Sequence, residues 1–234
     1  MAMILVAALV WSRPSASDTA VCHSLRYTIE DEDERQYVSE GELSALLQSQ
    51  AIYPVGKSVH AISLQAIEQT VRAHSMVRRA ECYMTPRHEV RIRLTQRVPL
   101  LRVQTPVETY LIDEDRLVMP AKNAVKDSVL VVKGNVGVQI ASHQLADFAE
   151  WLQDNKYWQQ RVHHVYVQSP QMMYLYLRGV NQPRIVMGNM SDYKQKLAKL
   201  RTFIEHGAEA TQDKHYTELD LRFKGQVVGR KENW

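Results

Sequence analysis

The chain has 234 residues, 29 Lys and Arg against 26 Asp and Glu, a formal charge of +3 and 45% hydrophobic content. That length suits two ordinary domains, each with a core of its own, and the near-balance of charge argues against a dedicated nucleic-acid binder. There is no low-complexity tract and no detectable internal repeat, so any chemistry must be sought residue by residue.

The opening stretch, "MAMILVAALVWSRP", is apolar from Met1 to Trp11 and then meets Arg13 and Pro14. It is shorter than the roughly 20 residues a helix needs to cross a bilayer. Three readings compete: a signal-peptide core, a buried element, or the outer half of a membrane anchor, and the absence of a basic leader favours the anchor. Ser12–Ala20 then reads as a polar tether. Two cysteines, Cys22 and Cys82, are too few for a disulfide framework or a zinc site; they are either a pair or two structural thiols.

From Ser24 the periodicity becomes legible. Leu25, Tyr27 and Ile29 alternate with polar neighbours, predicting a half-buried strand that ends in the acidic run Glu30–Glu34. Ser39 with Glu42 has capping-box spacing and opens a helix buried through Leu43, Leu46 and Leu47. Pro54 and Gly56 force a turn, and Ser63 caps a second helix facing inward with Leu64, Ile67 and Val71. In "VRRAECYM", Ala80, Cys82 and Met84 share one strand face; after a turn at Thr85 and Pro86, Val90, Ile92 and Leu94 point inward and Arg91, Arg93 and Thr95 outward, making a hairpin. The result is a β-α-α-β-β unit with both helices on one side of a three-stranded sheet.

Beyond Pro99 short strands follow one another: "VPLLRVQ", "TYLIDEDRLVMP" folded at Asp113–Asp115, and "VLVVKGNV". Ser142 is expected to cap a helix with Leu145, Phe148, Ala149 and Leu152 on one side. "VHHVYVQ", "MMYLYLR" and "RIVMG" are three more strands, and Ser191 is expected to cap a helix through Tyr193, Leu197, Leu200 and Ile204 that stops at Gly207. A strand carrying Leu219, Leu221 and Phe223, a turn at Gly225 and a last short strand close the chain. The fold class is therefore α+β, a β-α-α-β-β domain followed by a β-rich domain with an antiparallel-type sheet and two or three helices.

No catalytic constellation emerges. Gly56-Lys57-Ser58 matches the tail of a phosphate loop, but Ala51 stands where that pattern needs glycine, and the segment follows a helix. His163 and His164, adjacent in a strand, should point to opposite faces and so not ligate together. Asp113, Glu114 and Asp115 are explained by turn chemistry. Arg91, Arg93 and Arg97 lack interleaved aromatics and read as a solvated sheet face. No catalytic, cofactor-binding or metal residue is assigned, no enzyme activity is expected, and neither nucleic acid nor a small-molecule substrate is expected as a partner.

"GELSALLQSQAIYPVGKSV", "VRRAECYMTPRHEVRIRLTQRVPLLRV", "YLIDEDRLVMP" and "YTELDLRFKGQVVGRK" together, in order and spacing, resemble the bacterial cell-division FtsQ family in a Bacteroidetes-like form. The resemblance implies residues 1–21 as a truncated membrane anchor and tether, 22–97 as a POTRA domain and 98–234 as the family's β domain, with "QRVPLLRV" at the junction. It implies a non-enzymatic divisome scaffold, single-pass in the inner membrane at the septum, with most of the chain periplasmic, linking cytoplasmic and periplasmic division proteins. FtsB- and FtsL-like coiled-coil proteins would add a strand to the C-terminal edge, and other divisome proteins would be met through the POTRA domain. The matching positions are Phe223, Lys224, Gly225, Gln226, Val227, Val228, Gly229 and Arg230, with Gln226–Arg230 as the accepting strand. Strict alternation turns Phe223 inward with Leu219 and Leu221, whereas the resemblance places an aromatic contact there. A POTRA-containing outer-membrane assembly factor is the alternative; it would be expected to show repeated POTRA units or a long series of barrel strands. A periplasmic enzyme or sugar-binding module on the β domain is a third.

Overall fold

The computed structural model describes residues 20–30, 37–121, 129–207 and 216–231. Residues 1–19 of the expected anchor and tether, and the acidic run beyond Glu30, lie outside these. The chain divides into two compact units, Met1–Gln96 and Arg97–Trp234.

In the first unit, β1 (Ser24–Ile29), α1 (Glu40–Ser49), α2 (Leu64–Arg72), β2 (Val77–Met84) and β3 (Glu89–Gln96) follow the predicted order. β3 lies at the centre, parallel to β1 and antiparallel to β2, so that Leu25, Val90 and Met84 share a row, as do Tyr27, Ile92 and Cys82. Both caps form: the Ser39 hydroxyl accepts the Glu42 amide and the Ser63 hydroxyl accepts the Ala66 amide, each at 3.2 Å. Each bond satisfies a first-turn amide that has no partner within the helix. Leu43, Leu47, Ile67, Val71, Val90, Ile92 and Leu94 are all buried, and α2 packs on β2. The outward arginines are ion-paired, Arg91 to Glu89 at 3.2 Å and Arg93 to Glu30 at 3.1 Å. Gln96, only 2% exposed, ends β3 by accepting the amides of Tyr37 (2.6 Å) and Val38 (2.8 Å), which fixes the entry to α1.

In the second unit the described residues build one nine-stranded sheet from β4 (Pro99–Gln104), β5 (Thr109–Asp113), β6 (Val118–Pro120), β7 (Leu130–Gly134), β8 (Val162–Ser169), β9 (Met172–Leu177), β10 (Arg184–Gly188), β11 (Tyr216–Asp220) and β12 (Val228–Lys231). The order is β12-β11-β10-β9-β8-β7-β4-β5-β6. Antiparallel pairing predominates, with parallel ladders at β4/β7, β7/β8 and β10/β11. Parallel neighbours need a crossover, and helices supply two of them: α3 (Val138–Ile140), α4 (Ala146–Asp154) and α5 (Lys156–Gln159) between β7 and β8, and α6 (Tyr193–Thr202) between β10 and β11. Phe148, fully buried on α4, meets the ring of Tyr193 on α6 edge-on at 5.2 Å, so both crossovers share one core with Leu101, Val132, Val165, Leu175 and Ile185.

Two caps differ from expectation. The helix before β8 starts at Val138 after Gly137, and Ser142 sits inside it on a π-helical stretch, Ala141–Leu145, with its hydroxyl donating back to the Gln139 carbonyl at 3.5 Å. A mid-helix serine answers a nearby backbone carbonyl in this way and caps nothing. Ser191 stands one residue too early: Asp192 enters α6 from the left-handed region (φ 53°), and the Ser191 hydroxyl donates to the Asn189 side chain at 2.5 Å. The turn after β5 is built by Asp113, 1% exposed, whose carboxylate accepts Arg97 at 2.8 Å and the Leu117 amide at 2.7 Å. Arg97 therefore belongs to this turn and not to the solvated row of Arg91 and Arg93. Gly134 has φ 104°, and a Cβ there would fall 3.1 Å from the Val167 carbonyl carbon and closer still to its oxygen. β7 can approach β8 at that point only with glycine.

Candidate functional site

β12 closes one end of the nine-stranded sheet. It pairs antiparallel with β11, Glu218 opposite Arg230, Leu219 opposite Gly229 and Asp220 opposite Val228. All four of its residues are exposed, and among the described residues no strand lies on its other side. The Thr217 hydroxyl donates to the Arg230 carbonyl at 3.3 Å, so that carbonyl faces β11. Strand residues alternate in the direction of their backbone groups, which turns the N–H and C=O of Gly229 to the free side.

Of the eight positions expected from sequence, Val228, Gly229 and Arg230 lie on this strand, while Phe223 to Val227 form the preceding loop. The strand itself begins two residues later than Gln226, at Val228, and includes Lys231. Phe223 is 46% exposed, against the inward direction that alternation gives it. The reason is local: β11 ends at Asp220, whose carboxylate accepts the Arg222 amide at 3.0 Å, an Asx turn that breaks the two-residue period. Leu221 still reaches the core, 1% exposed, because its amide donates to the Val186 carbonyl at 3.0 Å.

Acidic residues inside β11 hold the basic ones around it. Glu218, 9% exposed, accepts a two-pronged bond from Arg184 and lies 3.6 Å from Arg230. Burial pushes the Asp220 carboxyl up, but bonds from the Arg222 guanidinium and amide outweigh it and hold the group below the usual carboxylate range. On the core side, Gly229 lies flat against Tyr216, whose ring meets Phe203 edge-on at 6.0 Å. Lys199 of α6 donates to three loop carbonyls: Leu221 at 3.0 Å, Gln226 at 3.2 Å, and Phe223. Sequence reasoning missed Tyr216, Glu218, Asp220 and Lys199. The two acids flanking Leu219 in a predicted strand were a readable signal, whereas nothing in sequence links Lys199 to a loop more than 20 positions away.

The histidine expectation is also corrected. β8 bulges between Val162 and His164, and this brings the two imidazoles together, Nδ1 to Nδ1 at 3.0 Å. An extra residue in one strand defeats simple alternation. His164 also stacks on Tyr176 at 4.5 Å; burial, then Lys133 and His163, lower its pKa to about 4. The described residues contain no group of three or more His, Cys, Asp or Glu suited to a metal ion. Lys57 turns to the Ala51 carbonyl at 2.5 Å. Cys22 and Cys82 are free thiols; burial and then Glu68 push Cys82 up to about 12.

No helix among the described residues is long and apolar enough to cross a membrane. No curated relative matches the chain. Residues 20–95 match the POTRA-like domain, which agrees with the three-stranded unit and its two helices. Residues 98–230 match the FtsQ/DivIB, C-terminal related family, and this span holds the whole nine-stranded sheet up to Arg230 on β12. With more than half of its length in that match, the chain belongs to the FtsQ/DivIB, C-terminal related family and carries a POTRA-like domain ahead of it.

Proposed function

We propose that the protein is a non-enzymatic scaffold of the bacterial divisome that accepts a strand from FtsB- and FtsL-like coiled-coil proteins along β12. Residues 1–21 serve as membrane anchor and tether, 22–97 as the recruiting domain that meets other divisome proteins, and 98–234 as the partner-binding domain. This places the chain in the inner membrane at the septum, with its bulk in the periplasm, linking division proteins on both sides. The single observation that carries the reading is the free edge of β12, with the backbone of Gly229 turned outward. An unpaired edge offers main-chain hydrogen bonds to a partner strand. Lys224, Arg230 and Lys231 flank it, all exposed, and discourage pairing with copies of the same edge while favouring an acidic partner.

Strand addition has a residue-level signature. When the FtsB-like and FtsL-like proteins of the same cell are added, amide exchange at Gly229 and Lys231 should slow by about tenfold or more. Val228 and Arg230, already facing β11, should change little. A complex that forms while Gly229 exchanges as before would refute the edge-strand reading.

A further inference from the structure

We propose that Lys199 is the positioning residue of this edge: its ammonium holds the loop from Leu221 to Val227 and thereby presents the outward backbone of β12. The inference rests on the strand-addition reading and adds what keeps the accepting strand in place.

Leu197 and Leu200, both fully buried, fix the rotation of α6, and Lys199 emerges beside Leu200 at the border of the core. An ammonium has three donors. Here they meet three carbonyls, of Leu221, Phe223 and Gln226, which lie on both sides of the turn at Gly225 (φ 75°). The loop's other ties lie at its two ends and at its tip: the Arg222 amide and guanidinium bond the Asp220 carboxylate, Lys224 and Gly225 form a turn, and Val227 packs against the core. One side chain thus spans from the end of β11 to the start of β12. Bonds from a charged donor are stronger than those between neutral groups. Without them the loop samples many conformers, and a partner meets a competent edge only part of the time. Apparent affinity falls by that fraction, through slower association, because a bound strand itself holds the edge once docked.

The test compares the wild-type chain with Lys199→Met, which keeps the stem and removes the donors, and with Lys199→Arg, which restores donors. In the free protein, exchange of the Val228 and Arg230 amides, which face β11, should rise about tenfold in the methionine variant and return toward wild type in the arginine variant. With the FtsB-like and FtsL-like proteins as probes, the association rate should fall about tenfold, equivalent to about 1.4 kcal/mol, with dissociation unchanged. Unchanged exchange in Lys199→Met overturns the proposal. So does a variant that fails to fold, or one that loosens β8 to β11 along with β12 while associating normally per folded molecule, since Lys199 would then be a general stabilising residue. If the wild type binds neither probe, the strand-addition reading fails, and the exchange data alone decide whether Lys199 holds the edge.

Discussion

Gly229→Ala isolates the packing that supports β12. An ideal Cβ at this position lies 2.5 Å from Cδ1 and 3.1 Å from Cζ of Tyr216, nearer still to Cε1. Carbon atoms rest at about 3.5–4.0 Å, so the ring must move by about 1 Å or the strand must lift. Tyr216 packs against the second unit's core and meets Phe203 edge-on, which leaves it little room to yield. Losing the aromatic contact costs about 0.5–1.5 kcal/mol, and overpacking generally costs about 1–3 kcal/mol. We expect a net loss of roughly 1–3 kcal/mol, read as a fall of about 3–10 °C in the thermal midpoint of the second unit. A double-mutant cycle sharpens the result. With Tyr216→Ala as background the clash is gone, and Gly229→Ala should become neutral or mildly stabilising, because alanine is favoured over glycine within a strand by about 0.5–1 kcal/mol. Coupling of at least about 1 kcal/mol follows. Additive effects in calorimetry, with the same cost in both backgrounds, would refute the argument that the ring is what requires glycine.

Gly134→Ala meets backbone instead of a movable ring, at φ 104° and against the Val167 carbonyl. Strain from the positive φ and the clash together should cost about 3 kcal/mol or more in urea unfolding; a cost under about 1 kcal/mol would contradict the geometry. His164 predicts a pH effect with a definite sign. Its pKa is lowered from 6.5 to about 4 by burial, then by Lys133 and His163. The unfolded chain therefore binds the proton first, and stability present above the unfolded value is lost as pH falls through the folded one. Urea midpoints measured between about pH 7 and pH 4 should decline less in His164→Gln, the difference being softened because the ring is only partly shielded from solvent. A wild-type His164 that titrates near its ordinary value by NMR would end this explanation.

Much of the fold was legible because it rests on local rules. Ser39 and Ser63 cap as their spacing requires, and the alternation of Val90, Ile92 and Leu94 matches their burial. Three kinds of feature were not legible. Ser142 and Ser191 looked like caps by type, but a helix start depends on where the preceding chain can leave its strand, and neighbouring Gly137 and Asp192 decided it. A bulge reset the alternation at His164, and the Asx turn at Asp220 ended it before Phe223, in both cases through a hydrogen-bonding choice that hydrophobic period does not encode. The candidate site was legible as a stretch, Phe223 to Arg230, but not as a surface.

Sequence alone determined the element types, the two helices on the first unit's sheet and the succession of short strands, since these follow from side-chain period and from the fixed dihedral preferences of glycine and proline. Tertiary structure decided which strand became an edge. β12 is last in sequence and also last in the sheet only because α6 crosses over to set β11 parallel beside β10, leaving the outer position to the final strand. Lys199 approaches Leu221, Phe223 and Gln226 through that same crossover. Contacts of this kind depend on where a helix lands after leaving the sheet, a long-range outcome set by the shared core around Phe148 and Tyr193 and invisible to any local pattern.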